Sequence, residues 1–443
     1  MSIGEVVVDG QRWEMQLKGS GPTPFCRGAD GRAVLRSSIR EFLASEAMFH
    51  LGVDTTRALS LVASSTMRIR RPWYSGATDG MPMFKDPDTM IMEQAAITTR
   101  VAPSFLRVGH VDLFARRATA KKATDLQKKE HRMMVEHAIF REYAGVADVT
   151  GQPLAQRAAK MLEAAGVRIG ALVAGWLRVG FCQGNFNADN CLIGGRTMDY
   201  GPFGWMDVYD PLFAKWVGSG EHFAFMNQPM AAIANYMVLV QSVMPVLSEI
   251  EDEEAAEKMA KEILKKGAES INAATDDTWR VKLGLPADSK EVAADLWKEL
   301  EPLMRRSSVD YTIFWRQLAA VAELPASTAG EALLQPLQQA FYTDDIKDKK
   351  AWVEWLERWR KALGSTDGSA VAKQMRAVNP KYVPREWMLA AAYDAAGKGD
   401  LTLVHELHQL FLKPYDEQPE MESRYYQLAP KSALKKGGIA HMS

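Results

Sequence analysis

Alternating apolar and polar residues open the chain and predict a small β-sheet. Residues 5–18 alternate on either side of Asp9-Gly10, a dipeptide typical of two-residue turns, and therefore predict a β-hairpin. The stretches 55–67 and 95–101 predict two further strands. The glycines and prolines of 76–87 predict a turn-rich insertion between these two strands.

Helical periodicity follows this pattern, first in one short stretch and then along most of the chain. Residues 37–51 place Ile39, Phe42, Leu43 and Met48 on one apolar face, as expected for a helix that packs against a core. Later helical stretches are 112–143, 153–179 as a helix pair, 231–247, 249–266, 386–397 and 400–412.

Three tryptophans mark one further helix near the end of the chain. Trp352, Trp355 and Trp359 share a helix face, and we expect them to pack onto the C-terminal part of the protein. The glycine-containing stretch 364–368 is the best candidate for a linker.

Composition limits the classes of protein to which this chain can belong, but it does not identify a reaction. A chain of 443 residues is long for one core, so two or three subdomains are expected. The net charge of -1 gives no reason to propose a nucleic-acid or membrane surface, and no apolar run looks long enough to span a bilayer. The first residues do not form a signal peptide, and three cysteines without metal-site spacing indicate a reducing compartment. We therefore expect a soluble protein.

The stretch 180–211 carries the strongest chemical signal. Asn187-Ala188-Asp189-Asn190 precedes Asp199-Tyr200-Gly201, and an apolar run ending on glycines, 191–195, separates them. This order predicts a loop, a short strand, a tight turn and a second loop, with Asn190 and Asp199 at the same end of a hairpin. An amide and a carboxylate oxygen placed together in this way commonly hold magnesium beside nucleotide phosphates.

Protein kinases use the same order of aspartate, asparagine, hairpin and Asp-x-Gly. Here the middle residue is Tyr200 and no His-Arg-Asp precedes the loop. A solvated turn is the alternative reading of Asp-x-Gly alone.

Cationic residues elsewhere fit the same hypothesis. Lys18 ends a predicted strand and Glu41 lies on the helix that follows, so the two could pair and hold the lysine against phosphate oxygens. Arg100 and Arg107 flank a proline turn and could grip a polyphosphate. The turn at 27–32, rich in glycine and arginine, also suits a phosphate. Solvated surface groups are the alternative in each case.

Long strings distributed over almost the whole chain resemble the selenoprotein O family. They are QLKGSGPTPF at 16–25, DGRAVLRSSIREFL at 30–43, SEAM at 45–48, TTRAL at 55–59, RVAPS at 100–104, DYGPFG at 199–204, NPKYV at 379–383 and PYDEQP at 414–419.

The resemblance implies an α+β fold of the bilobal protein-kinase-like type. Its expected parts are a small β-rich N-lobe at 1–110, a larger helical C-lobe at 111–363 and a C-terminal helical extension at 364–443. It also implies that ATP binds in a flipped orientation and that AMP moves to a Ser, Thr or Tyr hydroxyl of a protein substrate. Family members occur in bacteria and in mitochondria, so the cytoplasm or the mitochondrion is expected.

Roles for individual residues follow from the resemblance. Asp189 is the expected proton acceptor, and Asn190 and Asp199 are the expected ligands of magnesium, with manganese as the alternative. The residues expected to bind ATP are Lys18 with its helix partner Glu41, Asp30, Gly31, Arg100, Arg107 and Asp199.

Departures from the family pattern qualify this reading. Family members normally begin with a further segment that carries a Gly-Asp-Gly-Arg turn, and this sequence starts just after it, so weaker ATP binding is expected. Gln183 and Ala188 replace a usual His and Thr, and the tail at 437–443 lacks the redox motif of many members. Two alternatives stay open: transfer of the γ-phosphoryl group, and a nucleotide-binding pseudoenzyme or scaffold.

Overall fold

A five-stranded antiparallel sheet forms the N-terminal region of the computed structural model, which describes residues 1–26, 28–75, 87–147, 151–214, 220–249, 253–364 and 367–434. Its strands are β1 Ser2–Val8, β2 Gln11–Lys18, β3 Ala33–Val34, β4 Arg57–Trp73 and β5 Thr89–Ala102. The hairpin β1–β2 turns at Asp9 and Gly10, whose φ angles of 50° and 75° suit a type I′ turn, as predicted. The two later strands are confirmed and are longer than predicted.

The register of the sheet brings two of the predicted cations to one face. Lys18 lies opposite Thr98, and Gln16 lies opposite Arg100. Because cross-strand partners and residues two apart along a strand share a face, Lys18 and Arg100 point to the same side. Most of the predicted insertion at 76–87 lies outside the described residues.

Helix α1, Leu35–His50, follows β3 and confirms the predicted amphipathic helix. Ile39, Leu43 and Met48 are buried in the core, and Phe42 packs against its edge. The same helix carries Glu41, which is 1% exposed. A charged side chain so deeply buried needs an opposite charge close by.

The remainder of the chain is mostly helical, and the fold is α+β. The helices are α2 Val108–Ala118, α3 Asp125–Ala138, α4 Ala144–Ala147, α5 Leu154–Val179, α6 Gln228–Leu247, α7 Glu253–Lys282, α8 Lys290–Arg306, α9 Tyr311–Ala322, α10 Lys349–Ala362, α11 Gly368–Val378, α12 Glu386–Ala396, α13 Thr402–Phe411, α14 Pro419–Tyr425 and α15 Lys431–Leu434. A π-helical turn, Ile139–Tyr143, lies between α3 and α4, and 3₁₀ turns occur at Gly220–Phe223, Phe225–Asn227 and Gly330–Ala340.

One helical prediction was wrong, and another helical stretch is divided between several elements. The stretch 112–143 is divided between α2, α3 and the π-helical turn, because Thr124 caps a new helix and accepts a hydrogen bond from the Gln127 amide. The stretch 153–179 is the single helix α5 and not a pair. Its glycines, including Gly166 and Gly170, lie inside the helix, where α7 packs too closely to admit a Cβ.

The predicted hairpin between Asn190 and Asp199 was also wrong. Leu192 forms an isolated bridge with Arg107, and Thr197 forms one with Thr55, so the segment pairs with other parts of the chain. The antiparallel ladder in this region instead joins β6, Phe181–Gln183, to β7, Phe203–Trp205. The tight turn at the two glycines is confirmed, since the amide of Gly195 donates to Leu192 O at 3.0 Å.

Two large apolar clusters hold the helical part together. One joins α1, α5, α6, α12 and α13, so the C-terminal helices share a core with the helix that carries Glu41. The other contains Trp352, Trp355 and Trp359 on one face of α10, as predicted. The indole of Trp355 donates to Leu296 O on α8 at 2.9 Å, and the indole of Trp359 donates to Leu283 O, just after α7, at 3.0 Å. After residue 364 the same cluster includes Val371, Ala372 and Met375 on α11. The protein-kinase-like arrangement and the three boundaries stay predictions.

One described helical segment, Phe225–Leu247, is long and apolar enough to cross a membrane, which corrects the expectation that no run qualifies. Its apolar window is 56% buried, and Tyr236 and Val243 are fully enclosed. Tyr236 donates to Leu162 O on α5 at 3.0 Å. These contacts are those of a core helix.

Candidate active site

Glu41 is a buried anion shared by two cations. Its carboxylate forms one ion pair with the Lys18 ammonium and another with the Arg100 guanidinium. Burial alone would raise the pKa of Glu41, but Arg100 and Lys18 outweigh it and hold that pKa below its usual value. The predicted pairing of Lys18 with Glu41 is therefore present, and it fixes the lysine at the end of β2.

Arg100 connects this pair to the Asp-Tyr-Gly segment. Its Nη2 lies 3.7 Å from Asp199 Oδ1, and its side chain is 8% exposed. Arg100 thus lies between two carboxylates, Glu41 and Asp199, and its charge is already compensated. The arrangement differs from the predicted pair of free guanidiniums, because one of the two arginines is engaged inside the protein.

Arg107 has no ion-pair partner within 4 Å among the described residues. Its Nη1 donates to the backbone oxygen of Asp189 at 2.8 Å, while its buried Nε has no hydrogen-bond partner in the described part of the chain. Burial lowers the pKa of Arg107, and the neighbouring charge of Arg100 lowers it further. A partly buried guanidinium in this condition can receive an anion.

Asp189 lies against the first turn of helix α2. The amide of Gly109 donates to Ala188 O at 2.9 Å, which ties the loop to the helix. A Cβ on Gly109 would lie 2.2 Å from Asp189 Oδ1, so the close approach depends on glycine. The amide of Asp189 donates to Asn187 Oδ1 at 3.0 Å and shapes the loop from within. The N-terminal end of a helix favours a negative charge of this kind.

Asn190 and Asp199 offer the oxygen atoms expected of a magnesium site. Asn190 Nδ2 donates to Asn185 O at 2.9 Å, which leaves Oδ1 as the amide atom of ligand type. The Asp199 carboxylate is 18% exposed and lies beyond direct hydrogen-bonding distance of Arg100. In the described ranges no three His, Cys, Asp or Glu side chains form a metal cluster. An amide oxygen and a carboxylate oxygen are both ligand types that a hard cation accepts, and such a cation takes its other ligands from phosphate and water.

Asp30 and Gly31 form a separate turn beside the sheet. Gly31 has φ of +64°, and a Cβ there would lie 2.1 Å from Gly21 O, so only glycine fits. Both oxygens of Asp30 accept from Arg71 at 2.9 Å, and this pairing lowers the pKa of Asp30. None of these contacts joins the turn to Glu41 or Asp199. Arg27 lies outside the described residues.

The structure therefore joins most of the predicted site residues. Contacts run from Lys18 through Glu41 and Arg100 to Asp199, and a second set joins Arg107 to Asp189. Arg107 also lies within electrostatic range of Asp199 and Arg100, which brings the two sets together. Residues that the sequence did not single out are Gly109 and Arg40. A glycine three positions before the predicted helical stretch 112–143 was the available signal for Gly109.

An open groove of about 910 Å³ begins beside this site. Phe186, Asn187 and Ala188 form one wall, immediately before Asp189. Phe223, and Met230 on α6, contribute apolar side chains to the groove. The space next to Asp189 is therefore large enough for part of another polypeptide.

Comparison with known proteins adds an independent line of information. The family model described as Protein adenylyltransferase SelO matches residues 3–412. A protein from Rhodopirellula baltica named Protein nucleotidyltransferase YdiU is 36% identical, with 100% of this chain and 80% of that protein covered. Proteins of the same name from Aromatoleum aromaticum and Methylobacillus flagellatus are 38% and 37% identical, again with the whole chain covered, together with 79% and 80% of their own lengths.

Proposed function

Because the chain belongs to the SelO family, we propose that it is a protein adenylyltransferase. It would move AMP from ATP to a Ser, Thr or Tyr hydroxyl of another protein and release pyrophosphate. The names of the relatives, protein nucleotidyltransferases, support transfer of a nucleotide to a protein. The choice of AMP and of a hydroxyl acceptor is the finer part of the proposal.

The observation that carries the proposal is the Arg107 guanidinium, which is partly buried and has no ion-pair partner within 4 Å among the described residues. Attack at the α-phosphorus breaks the bond to the β-phosphate, so negative charge develops on the departing pyrophosphate. Arg107 can compensate this charge without first breaking an internal ion pair. Lys18 adds a second cation, held in place by Glu41. Preorganised charges of this kind stabilise a transition state more than a ground state.

Asp189 is the residue that we propose accepts the proton of the attacking hydroxyl. The hydroxyl oxygen forms a bond to the α-phosphorus, its proton passes to the Asp189 carboxylate, and the electron pair of the broken P–O bond leaves with pyrophosphate. The contact with Gly109 and the Asn187 hydrogen bond hold this carboxylate at the edge of the site. A base positioned in this way typically contributes about 10²–10⁴-fold in rate.

Asn190 Oδ1 and the Asp199 carboxylate would hold a magnesium or manganese ion. When bound, the ion supplies positive charge at the phosphate oxygens. The contact between Arg100 and Asp199 keeps that carboxylate beside the cationic cluster. The groove beside Ala188 gives room for the acceptor polypeptide next to Asp189.

A nucleotide-binding scaffold is the second candidate function. The engagement of Arg100 by Glu41 and Asp199 favours it, because that arginine has less charge to offer a transition state. Transfer of the γ-phosphoryl group would use many of the same side chains, and no contact of the described residues favours it over AMP transfer.

Intact-mass measurement after incubation with ATP and manganese tests the proposal. We expect the parent protein, or an added acceptor protein, to gain the mass of one or more AMP groups. Asp189→Asn should abolish the gain and retain nucleotide binding. Asp112→Asn on α2, whose side chain pairs with Arg116 at the surface, is the matched control and should behave as the parent. Tight nucleotide binding without any mass gain in the parent would favour the scaffold.

A further inference from the structure

Arg40 is a buried cation that touches three separate parts of the fold. It lies one position before Glu41 on α1 and is 1% exposed. Its guanidinium donates to Phe203 O at 3.3 Å and Gly201 O at 3.5 Å, just after Asp199 in the chain. It also donates to Glu386 Oε2 on α12 at 2.9 Å. Arg40 therefore links the helix of Glu41, the Asp-Tyr-Gly segment and the C-terminal region.

The start of α12 is anchored by a second buried ion pair. Arg385 donates to both oxygens of Asp310 at 2.6 Å and 2.8 Å, and Asp310 is fully buried. Arg385 also reaches Asp207 Oδ1 at 3.2 Å, on the other side of β7. Arg385, which precedes α12, and Glu386, its first residue, are thus linked to both ends of the segment 201–207, Arg385 directly and Glu386 through Arg40.

The C-terminal region also contacts α1 at positions away from the Arg40–Glu386 pair. The rings of Phe42 and His408 lie 5.5 Å apart, and Tyr415 donates to Leu51 O at 2.9 Å. The position of α1 relative to α12 is therefore set by packing as well as by charge. Glu386 is held by this packing where it can orient Arg40.

We propose that Arg40 and Glu386 are positioning residues that set the place of Asp199 relative to Glu41. Glu386 compensates the Arg40 charge, and Arg40 in turn fixes the carbonyls of Gly201 and Phe203. The C-terminal helices thereby become part of the active-site support, although they contribute no group to the reaction. The role of Asp199 in holding a metal rests on the proposed function, whereas the link from Glu386 to the 201–203 backbone does not.

Glu386→Gln tests the link with little change of shape. Removal of the negative charge takes away the carboxylate that pairs with the buried Arg40, which weakens the hold of Arg40 on the two carbonyls. We expect amide hydrogen exchange of residues 199–206 to become about 10-fold faster, and the manganese concentration for half-maximal labelling to rise about 10-fold, as is typical for loss of a group that orients a ligand.

Glu417→Gln is the matched control. Glu417 lies in the same C-terminal region and pairs with two buried cations, Arg316 and Lys381, whose side chains are 6% and 3% exposed. The substitution replaces a carboxylate by an amide, as Glu386→Gln does, at a residue that pairs with neither α1 nor residues 201–203. The Glu417 side chain is 59% exposed, so we expect a smaller loss of thermal stability, with no change in exchange at 199–206.

A double variant separates positioning from stability. Arg40→Met combined with Glu386→Leu removes both charges, so much of the lost stability should return. The carbonyls of Gly201 and Phe203 still lack their donor. Fast amide exchange at 199–206 and the raised manganese concentration for half-maximal labelling should therefore persist.

Unchanged exchange at 199–206 in Glu386→Gln, or its return to the parent rate in the double variant, would overturn the proposal. If exchange changes as expected but the parent transfers no AMP, the positioning link stands and the proposed function fails.

Discussion

Arg107 donates from Nη1 to the backbone oxygen of Asp189 at 2.8 Å, across 82 positions of sequence. This bond joins the unpaired cation of the site to the loop that carries the proposed base. A backbone oxygen carries no net charge, so a guanidinium that holds the loop through it keeps its positive charge available for a substrate. The same side chain can therefore position Asp189 and receive phosphate, and the two roles lead to separable predictions.

Replacement of Arg107 by methionine should weaken ATP binding without destabilising the fold. The guanidinium is partly buried, has no ion-pair partner in the described ranges and has a lowered pKa, so its charge adds little stability in the absence of ligand. We expect thermal stability to be unchanged or raised. Loss of a charge-assisted hydrogen bond of about 1.5–3 kcal/mol predicts an affinity about 10–100-fold weaker by calorimetry. Arg116→Met on the exposed face of α2 is the control, with affinity unchanged.

A methyl group at Gly109 should displace Asp189. The added Cβ would lie 2.2 Å from Asp189 Oδ1, which is the end of a side chain that can rotate away. The protein should therefore fold, while the rate of AMP transfer falls by at least about 10²-fold, the lower limit for a positioned base. ATP affinity should change little.

Gly145→Ala gives the comparison for this variant. Gly145 is also helical, and a Cβ there meets nothing within 4 Å. We expect it to stabilise the protein by about 0.5–1 kcal/mol and to leave the transfer rate unchanged. Equal rates in the two glycine variants would show that the contact of Gly109 with Asp189 has no role in transfer.

Neutralisation of Glu41 should destabilise the protein strongly. Glu41→Gln leaves Lys18 and Arg100 without their shared anion, and breaking a buried pair in this way costs about 3–5 kcal/mol. Glu46→Gln on the same helix should cost only about 1 kcal/mol, because its partner Arg57 is 34% exposed. Urea denaturation of both variants measures the difference, and equal losses would contradict the shared role of Glu41.

The stabilisation that Glu41 gives the folded protein should decrease at low pH. The pKa of Glu41 is lowered in the folded protein, so its stabilisation is fully present above the usual value of 4.5 and is lost as pH falls further. The difference in unfolding free energy between the parent and Glu41→Gln should stay constant from about pH 5 to 8 and shrink at lower pH. A free-energy difference that shrinks as pH rises would contradict this prediction.

Asp199→Asn should reduce the response to metal while preserving the fold. The side chain is 18% exposed, and its contact with Arg100 is 3.7 Å, so little stability depends on it. Loss of one carboxylate ligand should raise the manganese concentration for half-maximal labelling by at least about 10-fold, on the scale known for groups that tune a metal site. Asp210→Asn, farther along the same segment, should leave it unchanged. An unaltered response in Asp199→Asn would remove this residue from the metal site.

The sequence predicted the parts of the site that local pattern determines. The strand that ends at Lys18 follows from alternation and a turn dipeptide, and the helix of Glu41 follows from apolar periodicity. Their pairing was predictable because a strand end and the next helix lie close in a small sheet. Long matching strings identified the family, which the comparisons confirm.

Tertiary packing decided what the local pattern could not. The run from Cys191 to Ile193 reads as a strand, but its backbone bonds to Leu106 and Val108, far back in the chain. The engagement of Arg100 depends on Glu41 and Asp199 meeting across the sheet. The role proposed for Arg40 depends on Glu386, 346 positions later. Contacts at such separations leave no local periodicity.

The central claim is that this site transfers AMP and not the terminal phosphoryl group. The most direct test incubates the protein with manganese and ATP labelled either at the α-phosphate or at the γ-phosphate, then measures the label that remains on protein after denaturation. The account predicts that the α-label is retained and the γ-label leaves with pyrophosphate. Retention of the γ-label with release of the α-label would contradict it.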